Sequence, residues 1–189
     1  KEKKDLYIQG VQNNGIINHY EYIINSEGTI EIRHVLKPEG KMPLWFPRIG
    51  LTLTVSDALD QVKWYGRGPQ ENYPDRKTGY PTGIYASTVQ AMYEPYLMPQ
   101  DYGLRTDVRW LQLTTDKGIG LQFKMNEWFN FNIYPYSTDN LTKAMYTYQL
   151  QKQKGMTLNL DYATTGVGCT ARGVFGAYNC LLYTSPSPR

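Results

Sequence analysis

Apolar and polar residues alternate along much of the chain with a period of two, which is the pattern of β-strands that bury one face. The alternation is clearest in residues 29–33, 49–56, 110–114, 121–125, 129–134 and 158–160, and a further apolar strand is predicted at 62–65. Turn pairs such as Glu27-Gly28 and Lys117-Gly118 separate these segments. Short strands with one face in water and tight turns between them predict an all-β fold, a large antiparallel β-sandwich.

Three segments depart from this alternation. Residues 137–144 begin with good N-cap residues and predict a short helix. Residues 66–108 are poor in strand signals and rich in proline, glycine and tyrosine, so we expect a long loop region that is functional or packed against a partner. Residues 181–189 alternate proline with serine, which a central strand does not tolerate. We therefore interpret 181–189 as a tail foreign to the protein and 1–180 as its domain.

Composition excludes two classes of partner. The chain has 189 residues, a net charge of +3 and 41% hydrophobic residues, as expected for one globular domain. Its only basic run, at residues 1–4, is too short for a nucleic-acid surface, and no apolar run approaches the ~18 residues of a membrane span. The spacing of Cys169 and Cys180 indicates no metal site or disulfide framework, so we expect free thiols in a reducing, cytoplasmic setting.

One loop stands out for its fixed geometry and charge. Residues 66–76 read Gly-Arg-Gly-Pro-Gln-Glu-Asn-Tyr-Pro-Asp-Arg, and such loops usually do more than connect strands. Further motifs follow in order: Tyr-Glu-Pro-Tyr at 93–96, the run at 99–110, Phe-Asn-Ile-Tyr-Pro-Tyr-Ser at 131–137, and the segment 161–168. In this order and spacing, from about residue 29 to 178, the motifs closely resemble the C-terminal small-chain domain of the β-galactosidases of glycoside hydrolase family 2.

The resemblance implies a supersandwich of the galactose-mutarotase-like type at the end of a multidomain enzyme that hydrolyses terminal β-galactosides such as lactose. It places the two catalytic glutamates, which a retaining enzyme holds about 5–5.5 Å apart, in a separate barrel domain. The sequence shows none of the alternating strand–helix units of such a barrel. We therefore expect a truncated domain without catalytic residues, whose partners are the barrel domain, the β-galactoside and further copies in a homo-oligomer.

The resemblance also places the loop 166–173 at the rim of the active site, so that Gly168, Cys169, Arg172 and Gly173 are the expected substrate contacts. Many members carry a tryptophan in this loop, whereas this chain has Gly173 or a near neighbour there. The alternative is a plain tight hairpin whose glycines supply positive φ angles. We expect no cofactor in this chain itself, and Mg²⁺ and Na⁺ are candidate ions of the complete enzyme by resemblance alone.

The charged residues of the 66–76 loop have two interpretations. Glu71 and Asp75 could form a catalytic acid pair, but we favour a role in fixing the loop through backbone N–H groups and through Arg67, Arg76 or Arg105. Glu94 with Asp101 is interpreted in the same way. The residues predicted to be structural or at an interface are therefore Glu71, Asn72, Tyr73, Asp75, Arg76 and Arg105.

The remaining aromatic and histidine residues give weaker signals. His19 and His34 lie on predicted strands without a partner at ligand spacing, so they predict no metal site. The tryptophans in strand-like runs are predicted to be core residues, and the one between two prolines is predicted to be exposed. These are Trp64, Trp110 and Trp128 in the core and Trp45 at the surface.

Two other functions stay open from the residues alone. A stand-alone carbohydrate-binding module would bind galactose through exposed aromatic side chains, and the 17 tyrosines suit that role as well as plain β-structure. An aldose mutarotase with the same sandwich fold would need a histidine and a carboxylate in one cleft. An adjoining barrel with paired glutamates would distinguish the small-chain domain from both.

Overall fold

The computed structural model describes residues 3–4, 16–39 and 46–167. These residues form three antiparallel sheets with one short α-helix and one turn of 3₁₀ helix, so the predicted all-β class is confirmed. The chain divides into two compact units between Leu44 and Trp45.

The first unit contains a three-stranded sheet in the order β1-β2-β3. Its strands are β1 (Lys3–Lys4), β2 (Ile16–Ile24) and β3 (Ile30–Pro38). The turn between β2 and β3 is closed by the Asn25 side chain, whose Oδ1 accepts the backbone N–H groups of Glu27 and Thr29. Gly28 has a φ of 81°, a conformation that favours glycine, so the turn predicted there is confirmed.

The second unit contains two four-stranded sheets. Sheet I has the order β4-β11-β10-β7 and sheet II the order β6-β5-β8-β9. Their strands are β4 (Arg48–Val55), β5 (Gln61–Arg67), β6 (Thr82–Thr88), β7 (Arg105–Val108), β8 (Trp110–Thr114), β9 (Gly120–Phe123), β10 (Phe129–Tyr134) and β11 (Met156–Thr164). Every strand predicted for this unit is present.

Two strands lie inside residues 66–108, where the sequence predicted a loop region. β6 pairs with β5 along seven residues, although Gly83 and small side chains hide its alternation. β7 is only four residues long and pairs with β10 at Phe129 and Phe131, with a register shift between them. Four residues are too few to show a period of two, and the position of β7 is fixed by its pairing with β10.

Sheets I and II enclose one hydrophobic core. Sheet I contributes the inward residues of β10 and β11, and sheet II contributes those of β5 and β8. The largest fully buried side chains include Trp64, Phe129, Phe131, Leu111 and Leu158. Each fully buried apolar side chain of this kind contributes about 1.5–3 kcal/mol, so this interface between the sheets is the main stabilising contact of the unit.

The outer face of sheet I is buried too, which differs from the predicted wet face. All six residues of β10 are buried, including Asn132. Thr52 donates to the side-chain oxygen of Asn159 at 2.8 Å, and Asn159 Nδ2 donates to Asn132 Oδ1 at 2.8 Å. Asn132 in turn donates to Asp101 Oδ1 at 2.9 Å. Buried amides are tolerated here because each has a hydrogen-bond partner. The local sequence pattern does not reveal that other segments cover this face of the sheet.

Tyrosine-rich segments provide the cover over this face. Tyr102, Tyr134 and Leu141 form a second buried cluster, and other tyrosines pack around it. Leu141 belongs to α1 (Thr138–Lys143), where Ser137 Oγ accepts the Asn140 N–H at 3.1 Å as the N-cap. The predicted short helix is therefore confirmed. Within the part of the chain that the structure describes, no helix is long and apolar enough to cross a membrane.

Candidate functional site

The motif loop, residues 66–76, leaves the end of β5 and folds back against β7. Asn72 is fully buried, and its backbone N–H donates to the Leu104 carbonyl at 2.8 Å. Its side-chain oxygen accepts both the backbone N–H and the hydroxyl of Thr106. Its amide nitrogen donates to the Gln70 carbonyl at 3.0 Å. Asn72 therefore ties the motif loop to Leu104 and β7 through its backbone N–H and its side-chain oxygen, and its amide nitrogen bonds back to the motif loop itself.

Glu71 lies at the centre of the site and joins three segments. Its Oε2 accepts the Tyr73 hydroxyl at 3.1 Å and the Gly103 backbone N–H at 2.9 Å. Its Oε1 accepts the Tyr96 hydroxyl and Arg76 Nη2, the latter at 2.9 Å. Burial alone would raise the pKa of this carboxyl, but the four hydrogen bonds outweigh burial and lower the pKa.

Of the three arginines predicted to hold the acids of the loop, Arg76 is the one that pairs with Glu71. Arg67 instead binds Asp107, with 2.6 Å between Nε and Oδ2. Arg105 is buried and donates to two backbone carbonyls, those of Pro69 at 3.2 Å and Gly103 at 2.8 Å. Burial lowers the pKa of Arg105 to about 10, which leaves it protonated at neutral pH. Arg105 therefore fixes backbone where we had expected an ion pair.

Asp107 is a site residue that the sequence did not reveal. It has a φ of 55°, which is uncommon outside glycine but tolerated by aspartate. Its carboxylate accepts Arg67 and also Lys77 Nζ at 2.6 Å. Burial would raise the pKa of Asp107, but the bonds from Lys77 and Arg67 outweigh burial and lower the pKa. Its position within β7, inside the 99–110 motif, is the only signal that could have indicated it.

A second charged cluster lies where β4 and β11 meet. Arg48 donates to Asp101 Oδ2 at 2.8 Å, and its Nε lies 3.5 Å from Asp161 Oδ2. Asp161 is 1% exposed, and its Oδ2 accepts no hydrogen bond from the described residues. Burial raises the pKa of Asp161 to about 7, because it outweighs the attraction of Arg48, which lowers the pKa. Repulsion from the Asp101 carboxylate raises the pKa further. Asp101 thus binds Arg48 and Asn132, and no short contact to Glu94 is seen among the described side chains.

Asp161→Asn should stabilise the domain in a pH-dependent way. The raised pKa means that the folded state holds a proton between about pH 4 and 7, so stability from this group is complete below pH 4 and is lost as the pH rises through 7. We expect the gain in unfolding free energy to be about 1–3 kcal/mol larger at pH 8 than at pH 5. Urea unfolding at both pH values measures it, with the exposed Asp57→Asn as control; equal gains at the two values would contradict it.

His34, Trp64 and Trp128 pack against neighbouring side chains of the described structure. His34 stacks on Tyr20 with 4.3 Å between ring centroids, and burial lowers the pKa of His34. The described residues contain no cluster of three or more histidine, cysteine, aspartate or glutamate side chains that could hold a metal. Trp64 is in the core as predicted, whereas Trp128 is 58% exposed and stacks on the guanidinium of Arg109, 4.3 Å from its ring centroid. Trp128 lies directly before β10 and is therefore not one of the strand residues whose side chains point into the core.

The rim residues predicted from the resemblance, Gly168, Cys169, Arg172 and Gly173, lie outside the described residues, and so does Trp45. The described chain approaches them at residues 165–167, directly after β11. There Asp75 Oδ1 accepts the Val167 backbone N–H at 3.1 Å. The motif loop therefore contacts the segment that leads to the predicted rim.

Comparison with known proteins decides between the functions left open by the sequence. A family profile described as beta galactosidase small chain matches residues 3–181, almost the whole chain. The chain belongs to the β-galactosidase small-chain family. This confirms the resemblance carried by the motifs and favours the small-chain interpretation over a stand-alone binding module or an aldose mutarotase.

Several curated relatives named beta-galactosidase show the same likeness. The Priestia megaterium protein is 38% identical over 147 residues, which cover 78% of this chain and 14% of that protein. The Vibrio cholerae protein is 39% identical over 122 residues, covering 65% of this chain and 11% of that protein. The Pseudoalteromonas haloplanktis protein is 33% identical over 159 residues, covering 82% and 14%. The matched part of this chain thus spans 11–14% of the length of these relatives.

Proposed function

We propose that this chain is the C-terminal domain of a glycoside hydrolase family 2 β-galactosidase, which releases terminal β-D-galactose from β-galactosides such as lactose. The observation that carries the proposal is the match to the Priestia megaterium β-galactosidase along 78% of this chain. In this proposal the domain borders the active site through residues 168–173 and packs on a barrel domain that carries the catalytic glutamates. The complete enzyme is a cytoplasmic homo-oligomer, and Mg²⁺ and Na⁺, where needed, belong to it.

The geometry of Glu71 supports a catalytic centre outside this chain. Each of its carboxylate oxygens already accepts two hydrogen bonds, from Tyr96 and Arg76 on one side and from Tyr73 and the Gly103 backbone on the other. A general acid needs a raised pKa and free access to the leaving oxygen, whereas the pKa of Glu71 is lowered. Such a carboxylate holds a loop in place and has no oxygen left for a substrate.

A segment exchange tests the proposal. Residues 3–181 of this chain replace the matching segment of the Priestia megaterium β-galactosidase, and hydrolysis of a chromogenic galactoside is measured. We expect the chimera to be active, the same enzyme without the segment to be inactive, and this chain alone to show no turnover. A chimera that folds and assembles like its parent but does not hydrolyse the substrate would contradict the proposal.

A second arrangement covers the case in which the chimera does not fold. The separately produced chain is mixed with the Priestia megaterium enzyme that lacks the segment, and regained activity supports the proposal. Turnover by the purified chain alone that Glu71→Gln abolishes would instead place a catalytic site in the motif loop. Glu127→Gln, an exposed change between β9 and β10, is the matched control.

A further inference from the structure

The motif loop contacts the exit of β11 through the Asp75 carboxylate. β11 ends at Thr164, and three residues later the Val167 N–H donates to Asp75 Oδ1 at 3.1 Å. Gly166 makes this approach feasible, because a Cβ at this position would lie 2.4 Å from the Asp75 Cγ and 2.6 Å from each carboxylate oxygen. Atoms cannot approach so closely, so any side chain at 166 would displace the Asp75 carboxylate or the backbone. The carboxylate and the bare Gly166 backbone therefore fit one another directly.

The same short segment is held from its other side by the residues that precede β4. The Thr165 N–H donates to the Pro47 carbonyl at 2.9 Å, and the Thr165 hydroxyl donates to the Phe46 carbonyl at 2.7 Å. Residues 165–167 thus lie between residues 46–47 and Asp75. We call this arrangement the exit clamp, formed by Phe46, Pro47, Asp75, Thr165, Gly166 and Val167. Bonds from both sides fix the direction in which the chain leaves β11.

Asp75 is itself placed by the rigid part of the motif loop. Tyr73 and Arg76, on either side of it, form a two-residue bridge in which the Arg76 N–H donates to the Tyr73 carbonyl at 2.8 Å. Both residues also bind the Glu71 carboxylate, through the Tyr73 hydroxyl and Arg76 Nη2. Asp75 therefore lies at the tip of a turn whose base is anchored by the buried Glu71 carboxylate. Because Asp75 accepts the Val167 N–H, this turn also fixes the position of Val167.

We propose that Asp75 is a positioning residue for substrate binding, because it holds the backbone of Val167, the residue that directly precedes segment 168–173. This inference rests on the proposed function, in which residues 168–173 contact the sugar. Asp75 does not touch the reacting atoms, so its loss acts on the fit of the sugar and leaves the catalytic glutamates of the barrel in place. The expected signature is a change in KM at a nearly constant kcat.

The test uses the active segment-exchange enzyme described above with Asp75→Ala, Asp75→Asn, Gly166→Ala and the double variant Asp75→Ala/Gly166→Ala. We expect Asp75→Ala to raise KM for the chromogenic galactoside about fivefold to tenfold, as the loss of one hydrogen bond would, with kcat within about twofold. Asp75→Asn keeps an oxygen that accepts the Val167 N–H, so it should retain most of the affinity. The exposed Asp57→Ala is the control and should change neither constant.

The double variant isolates the contact itself. Gly166→Ala alone should also raise KM, because its methyl group meets the Asp75 carboxylate, and it should do less harm once Asp75→Ala has removed those atoms. Amide hydrogen exchange at Val167 should become faster in Asp75→Ala.

The outcomes separate the inference from the proposed function. An inactive parent chimera that folds overturns the proposed function and this inference with it. An active parent in which Asp75→Ala lowers the melting temperature but leaves KM unchanged overturns the inference alone, and so does strict additivity of the two substitutions. A KM effect that Asp75→Asn largely restores is the result that supports it.

Discussion

Glu71→Ala is expected to lower the free energy of unfolding by about 3–4 kcal/mol. The substitution removes the acceptor of four hydrogen bonds and leaves the Gly103 N–H and the Tyr73 hydroxyl without partners in a buried site. It also separates three segments that this carboxylate holds together: the motif loop, the segment around Tyr96 and the entry to β7. Urea unfolding followed by tryptophan fluorescence measures the change.

The pH dependence gives this prediction a second readout. Because the pKa of Glu71 is lowered in the folded state, its stabilising effect is present above the unfolded pKa and is lost as the pH falls through the folded pKa. The difference between the wild type and Glu71→Ala should therefore shrink on acidification. Glu71→Gln, which keeps one acceptor oxygen, should lose about half as much stability. The exposed Glu127→Ala should change stability by less than about 0.5 kcal/mol, and an equal loss in both alanine variants would contradict the argument.

The strands could be predicted from the sequence where their alternation is local. β4, β8 and β10 each show apolar residues at every second position, and each pairs along most of its length. β6 and β7 could not be predicted in the same way, since one is rich in small residues and the other is four residues long. Their positions depend on partners far away along the chain.

Burial of the outer face of sheet I could not be predicted for a related reason. The asparagines of β10 read as a wet face in the local pattern, and only the cover by tyrosine-rich segments and the ladder from Thr52 to Asp101 buries them. The unusual tyrosine content was a real signal of this second cluster, but it did not say which face the tyrosines would cover. Tertiary cover overrides a period of two in such cases.

The candidate site was partly accessible from the sequence. Glu71, Asn72, Tyr73 and Arg76 are neighbours in one motif, so their clustering follows from the loop itself. Asp107 was missed because its partners, Lys77 and Arg67, lie 30 and 40 residues away along the chain. Asp161 was missed because its partner, Arg48, lies on β4, which only the pairing of β4 with β11 brings close. Ion pairs between distant segments require the sheet register, which the motif spacing alone does not supply.

Trp64→Ala is expected to reduce the free energy of unfolding by about 3–5 kcal/mol, because it leaves a cavity between the two sheets. Trp64 is 0% exposed and contacts Phe131 of sheet I edge-on, with ring centroids 5.9 Å apart. Its Nε1 donates to the Arg67 carbonyl at 3.0 Å, and the Arg105 guanidinium lies 5.5 Å above its ring. The indole thus joins the core directly to the motif loop.

This double contact makes a graded series informative. Trp64→Phe keeps an aromatic ring but loses the bond to the Arg67 carbonyl, so we expect a loss of about 1–2 kcal/mol and a locally loosened motif loop. Trp128→Ala removes a ring of the same type that is 58% exposed, and it should change stability by less than about 1 kcal/mol. Denaturant unfolding of the three variants, together with hydrogen exchange at residues 66–76, measures both effects. If Trp64→Ala and Trp128→Ala were equally destabilising, the packing of sheet I on sheet II through Trp64 would have to be rejected as the main source of stability.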